Sequence, residues 1–150
     1  MSPFPLTMSN IKDSFARHSL VFREESETIL VVERPSEPIA PLQVHFDLAS
    51  ETATFVVAAP FAFSSERMVE MSCATSLLNS HILLGAWCID HQNRNLFFRF
   101  AVPTSNALFT DESLIWIVEM TLGHVRLHIE AFAAIASGEH SFETILTPQE

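Results

Sequence analysis

The fold is decided by the stretch GAWCIDHQNRNLFFRFAVP, residues 85–103. Along 95–102 every second side chain is apolar, which is the period of a strand with one buried face. A shorter apolar run, 86–90, comes before it, and the polar residues 91–94 between the two runs are typical of a turn. We therefore predict an antiparallel hairpin that ends at Pro103, because proline cannot donate to a sheet hydrogen-bond ladder.

Upstream of this hairpin the sequence predicts three more strands. The run 28–32 is rich in β-branched residues, and apolar side chains alternate along 43–48 and along 52–59. The last two runs are close enough in sequence to form a second antiparallel hairpin. The proline-rich segment from Pro35 to Pro41 predicts a loop or a sheet edge before them.

Three helices complete the predicted pattern. The first begins after Ser9, the second at Ser64 or Ser65, and the third is capped by Thr110 and Asp111. Apolar residues recur at helical spacing along each of them. The predicted order is α-β-β-β-α-β-β-α, which is an α+β fold with an antiparallel sheet flanked by helices.

The last helix carries more apolar residues than one buried face requires. Its main stripe runs from Leu114 to Ala136, and Gly123 is tolerated inside it at a cost of about 1 kcal/mol relative to alanine. A second apolar set lies off that stripe: Ile115, Trp116, Met120, Leu127 and Ile135. A helix that is apolar on more than one side needs cover on more than one side. We therefore predict that this second set is an interaction surface.

Composition narrows the classes of partner. The 150 residues fit one domain spanning 1–150, and a hydrophobic fraction of 48% is high for a domain of this size. We expect a partner subunit, most simply in a homodimer, or a ligand to cover part of that surface. The net charge of −10, with eight scattered basic residues, opposes binding to nucleic acid and to anionic membranes.

Targeting signals give the expected compartment. The opening residues 1–6 lack the positive and long apolar regions of a signal peptide, and no run of about 18 apolar residues predicts a membrane span. Cys73 and Cys88 have no metal-binding or redox spacing and are interpreted as buried free thiols. We therefore expect a cytoplasmic protein.

No residue pattern predicts an active site. His124 and His128 share one helix face, but zinc needs three or four ligands, so we interpret them as part of a wet face. The apolar surroundings of Cys73 and Cys88 disfavour the reactive thiolate. With three glycines the chain has no phosphate-binding loop. We predict no catalytic residue, no cofactor and no metal, and hence no enzyme.

Several of these segments resemble the YbjN family, described as bacterial sensory transduction regulators. The resemblance runs from Leu77 to Gly138. Its motifs are Leu77-Leu78-Asn79, Gly85-Ala86-Trp87-Cys88-Ile89-Asp90, Leu96-Phe97-Phe98-Arg99-Phe100-Ala101-Val102-Pro103 and Thr110-Asp111-Glu112-Ser113-Leu114. It implies one YbjN-like domain with a type III secretion chaperone-like fold, frequently dimeric.

The resemblance implies structural roles and no catalytic ones. Asn79 is expected to cap a helix end or turn, Gly85 to lie where only a small residue fits, and Arg99 to face an acidic neighbour. The first functional hypothesis is a non-enzymatic regulatory or chaperone-like module that binds an unidentified protein through a helix face or a sheet edge. The alternative is a carrier of a small apolar ligand held between the sheet and the helices, by Phe55, Met71, Phe98 and Phe100.

Overall fold

The structure is a computed structural model, and it describes residues 2–33 and 39–147. The elements are α1 (Met8–Arg17), β1 (Phe22–Ser26), β2 (Ile29–Val32), β3 (Leu42–Asp47), β4 (Thr52–Ala62), α2 (Met68–Asn79), β5 (Ala86–Asp90), β6 (Asn95–Pro103) and α3 (Asp111–Ala136). A 3₁₀ turn, Ser65–Arg67, precedes α2, and a second, Phe142–Leu146, follows α3. The predicted loop from Pro35 to Pro41 lies largely outside the described residues.

The α+β class is confirmed, and the structure adds one strand to the predicted order. Four strands rather than three separate α1 from α2, because Phe22–Ser26 forms β1. Its sequence, FREES, contains one apolar residue and its last four side chains are exposed. Pairing with β2 therefore holds this strand, and apolar periodicity, the signal that finds strands in a sequence, is absent from it.

The six strands form one antiparallel sheet in the order β1-β2-β3-β4-β6-β5. Both predicted hairpins are present, as β3–β4 and β5–β6. Alternate side chains of the central strands enter the core, so that Phe55 of β4 lies opposite Phe100 of β6. Ile11 of α1, Met71 of α2 and Leu114 of α3 are fully buried in the same core. One face of the sheet thus packs against all three helices.

The entry into β5 requires glycine at position 85. Gly85 has φ of +77°, and an added Cβ would lie 2.6 Å from Cζ of Phe98 and 2.9 Å from the carbonyl oxygen of Arg99. Real Cβ atoms do not approach other atoms so closely, and a side chain is strained at this φ. The expectation that only a small residue fits here is confirmed.

Two local devices fix the start of α3. The Thr110 hydroxyl accepts from the amide of Ser113, whose own hydroxyl accepts from the amide of Thr110. Arg17 of α1 donates two hydrogen bonds to the carboxylate of Asp111, at 2.9 and 2.7 Å. These bonds hold the pKa of Asp111 well below its usual range. The helix that carries the predicted surface is therefore clamped to the rest of the fold at its first turn.

Candidate protein-binding surface

An apolar stripe of α3 faces away from the core. Trp116 and Leu127 are 53% and 60% exposed, and Met120 is half-buried. Trp116, Met120, Gly123 and Leu127 follow one another at spacings of four, three and four residues, which places them on one side of a helix. These four residues are called the α3 stripe below.

Two residues of the predicted surface lie elsewhere. Ile135 is fully buried, because its position on the helix is turned by about 100° from that of Trp116 and faces the core. Including Ile135 in an exposed surface is therefore wrong. Ile115 is half-buried against the core and borders the stripe on one side.

Gly123 is the member of the stripe whose role sequence reasoning missed. It lies at the middle of α3, and a Cβ added there would have no atom within 4 Å. No contact within the described part of the chain therefore requires glycine, although a glycine in a helix interior costs about 1 kcal/mol. The only signal in the sequence is its regular spacing from Met120 and Leu127. A glycine at that place leaves a shallow notch in an otherwise apolar stripe.

Opposite charges border the α3 stripe. The guanidinium of Arg126 lies 3.9 Å from the carboxylate of Glu119, and both side chains are partly exposed. At that separation and exposure the pair contributes little to the stability of one chain. It does place one charge of each sign beside the same stripe.

Each edge of the sheet carries a feature that hinders the addition of a partner strand. At the β5 edge, Asn79 donates to the carbonyl oxygen of Trp87 and accepts from its amide, each at 2.8 Å. The side chain of Asn79 therefore caps strand backbone, a role that adds to its place at the end of α2. At the β1 edge, exposed Arg23, Glu24 and Glu25 follow one another, and charged edges disfavour strand addition. Of the two modes in the first hypothesis, these features favour the helix face.

The open face of the sheet carries Arg99. Its side chain is exposed, and its neighbours across the strands are Val56 and Ala86. No hydrogen bond or ion pair joins the side chain of Arg99 to another residue in 2–33 or 39–147. The expected acidic neighbour is therefore not found among those residues.

The two histidines of α3 are not on a wet face, contrary to the sequence interpretation. The ring of His124 stacks on Phe98 with centroids 5.0 Å apart, and the rings of His124 and His128 are 6.3 Å apart. Burial lowers the pKa of both imidazoles. Within the described residues no three His, Cys, Asp or Glu side chains are placed to hold a metal ion.

The residues of the alternative hypothesis lie in the core. Phe55, Met71 and Phe98 are fully buried members of the apolar cluster, and Phe100 packs against it half-buried. Cys73 and Cys88, interpreted as buried thiols, are free and half-buried. Within the described residues, no helix is long and apolar enough to cross a membrane.

The similarity of this chain to known proteins is found in its structure and not in its sequence. No protein-family model matches the chain, and no curated protein matches it in sequence. The crystal structure of YbjN from E. coli, a proposed transcription regulator, superposes with a TM-score of 0.71 at 14% identity, over 91% of this chain and 97% of that chain. A chain of the HopA1–SchA chaperone–effector complex gives 0.54 at 16% identity, over 84% of this chain and 99% of that one.

The fold is an α+β fold similar to that of a chain from this chaperone–effector complex. Within that class the architecture is YbjN-like, as the resemblance in the sequence predicts. The likeness is one of fold, because identities of 14% and 16% carry no functional residue from those proteins to this one.

Proposed function

We propose that this protein is a non-enzymatic, regulatory or chaperone-like protein-binding module that works as a homodimer in the cytoplasm. The observation that carries the proposal is the α3 stripe, an apolar helix face that the chain leaves exposed. The fold supports the class of function, since one of its structural neighbours comes from a chaperone–effector complex.

The second copy of the chain is the occupant that best fits the α3 stripe. If two α3 helices cross antiparallel with a two-fold axis at Gly123, each residue i faces residue 246 − i of the other copy. In that pairing Glu119 of one copy faces position 127 of the other, one residue from Arg126, so opposite charges come close together on both sides of the axis. It also places the two glycines at the crossing point, where helix backbones approach most closely.

The apolar members of the stripe supply the affinity in this arrangement. Trp116 and Leu127 would bury surface that is now exposed, at roughly 25 cal/mol per Å². Tryptophan is enriched among interface hot spots, and Trp116 lies seven residues, about 10 Å along the helix, from the crossing at Gly123. The charged pair then selects the antiparallel register more than it adds affinity.

Sedimentation equilibrium of the purified chain tests the proposal. We expect the mass of two chains for the wild type and of one chain for Leu127→Asp and for Trp116→Asp. Leu48→Asp is the matched control, because Leu48 is 82% exposed, in the turn after β3. This control should remain a dimer.

Two results would contradict the proposal. A monomeric wild type at high protein concentration would rule out pairing of two copies. A wild-type dimer that persists in both aspartate variants would move the interface away from the α3 stripe. Circular dichroism of each variant establishes that a change of mass does not come from unfolding.

A further inference from the structure

A cavity of about 490 Å³ lies between the end of α2, the middle of α3 and the segment 145–147. Its walls are mainly apolar and include Leu78 of α2, Ala131 of α3 and Ile145, all of which are buried. Sites for small molecules usually have volumes of about 300–1,000 Å³, with apolar walls and a few placed polar groups. The cavity therefore has the size and the lining of a ligand site.

Three imidazoles supply the polar groups. The titratable side chains among the described lining residues are His81, from the loop after α2, and His124 and His128, from α3. No carboxylate, lysine or arginine is among these residues. The three rings reach one apolar cavity from two separate elements of the fold.

The contacts of His124 indicate which of its ring nitrogens carries the proton. The Nδ1 atom of His81, by contrast, contacts both the carbonyl oxygen of Leu77, at 3.1 Å, and the hydroxyl of Ser80, at 2.9 Å, and a hydroxyl can donate or accept. The Nδ1 atom of His124 is buried and has no hydrogen-bond partner. A buried donor without an acceptor is rarer than a buried acceptor without a donor, so we assign the proton of neutral His124 to Nε2. His124 can then donate from Nε2 to a ligand.

We propose that this cavity binds a small aliphatic carboxylic acid, with the carboxylate at His124 and His128 and the alkyl chain against Leu78, Ala131 and Ile145. Imidazole N–H groups are the donors that a carboxylate requires, and a charge-assisted hydrogen bond is about twice as strong as a neutral one. The apolar wall accounts for the alkyl chain, and no three described His, Cys, Asp or Glu side chains, these imidazoles included, are placed to hold a metal ion. The cavity and the α3 stripe share Leu127, but neither histidine belongs to the stripe, so the proposed head-group site lies outside it.

Binding should be coupled to proton uptake. Burial disfavours the charged form of both rings in the empty cavity, and the neighbouring imidazole of His124 adds to this effect at His128. A bound carboxylate reverses the balance, because an opposite charge nearby raises the pKa of an imidazole. Affinity should therefore fall as the pH rises through the range in which these histidines lose their protons.

Calorimetric titration with sodium decanoate, below its critical micelle concentration, tests the site in the full chain. We expect one saturable site per chain and an apparent enthalpy that differs between phosphate and Tris buffers because protons are taken up. His128→Leu keeps an apolar wall and should weaken binding by about tenfold or more, the loss of one hydrogen bond to a charged group. His91→Leu, in the exposed turn between β5 and β6, is the matched control and should bind as the wild type does.

Proton NMR of the histidine rings provides a readout on the unaltered protein. Decanoate should shift the Hε1 signals of His124 and His128 and leave that of His91 in place. Absence of saturable binding would overturn the proposal. Equal affinity for decanol and decanoate, or an unchanged affinity in His128→Leu, would show that the imidazoles do not hold the head group and would overturn it as well. These results leave the oligomeric state untouched, so failure here is distinct from failure of the homodimer.

Discussion

Substitution of Gly123 tests whether α3 faces solvent or pairs with the α3 helix of a second copy. Gly123 is in the interior of the 26-residue helix α3, and an added Cβ has no atom within 4 Å. In the isolated chain, Gly123→Ala should therefore raise the free energy of unfolding by about 1 kcal/mol, the difference in helix propensity. For a domain of this size that corresponds to an increase in Tm of about 2–4 °C. Urea unfolding at a protein concentration below the dimer dissociation constant measures this effect.

Gly123→Leu should move stability and pairing in opposite directions. Leucine also favours the helix, so the dilute chain should again gain stability, by somewhat less than 1 kcal/mol. At a crossing centred on Gly123, however, two extra side chains meet, and overpacking costs about 1–3 kcal/mol at each. Sedimentation equilibrium should then show a dimer dissociation constant raised by at least about tenfold.

The reasoning about Gly123 is refuted by either of two results. Loss of stability in dilute Gly123→Ala would mean that the glycine has a role within the chain. An unchanged dissociation constant in Gly123→Leu would mean that the helices do not cross at this residue.

Three further substitutions test the fold that presents the surface. Gly85→Ala should lower the free energy of unfolding by about 2 kcal/mol or more, because the new Cβ meets Phe98 at 2.6 Å and adopts a positive φ. Gly138→Ala, also at positive φ but with its nearest atom 3.8 Å away, should cost only the strain of about 1–2 kcal/mol, and equal losses in urea unfolding would contradict the steric argument. Asp111→Asn should reduce the loss of unfolding free energy that the wild type shows as the pH falls below about 4. The Arg17 hydrogen bonds depress the pKa of folded Asp111 below its ordinary 3.8, so their contribution is present above about pH 4 and is lost as the pH falls below it. Parallel pH profiles of the unfolding free energy in the two proteins would show that the clamp is not electrostatic.

Sequence patterns predicted elements whose stabilising contacts are periodic along the chain. The alternation along 95–102 predicted β6, because each second side chain enters the core. Strand β1 was not predicted, because its residues 23–26 are exposed and polar, and the strand is defined by its hydrogen-bonded neighbour β2. Hydrogen bonding to a neighbouring strand does not produce an apolar periodicity in the strand's own sequence.

The sequence predicted part of the candidate surface, because helical spacing indicates which residues share one side of a helix. Helical spacing placed Trp116 and Leu127 off the main stripe, and both are exposed. Ile135 was assigned to the same set, but its position on the helix is turned by about 100° from that of Trp116 and coincides with that of buried Ile117, so it faces the core. The error therefore lies in the assignment of Ile135 to the second set, since helical spacing places it with the main stripe.

The sequence by itself determined the α+β class, the two hairpins and the long apolar helix. These features depend on residues close together in the chain, through periodicity and capping. Only the tertiary structure decided that Asn79 closes the β5 edge, that Gly123 is an open notch, and that His81 joins His124 and His128 at one cavity. These features involve residues from different elements or residues that face solvent. Their geometry exists only once the helices have packed on the sheet.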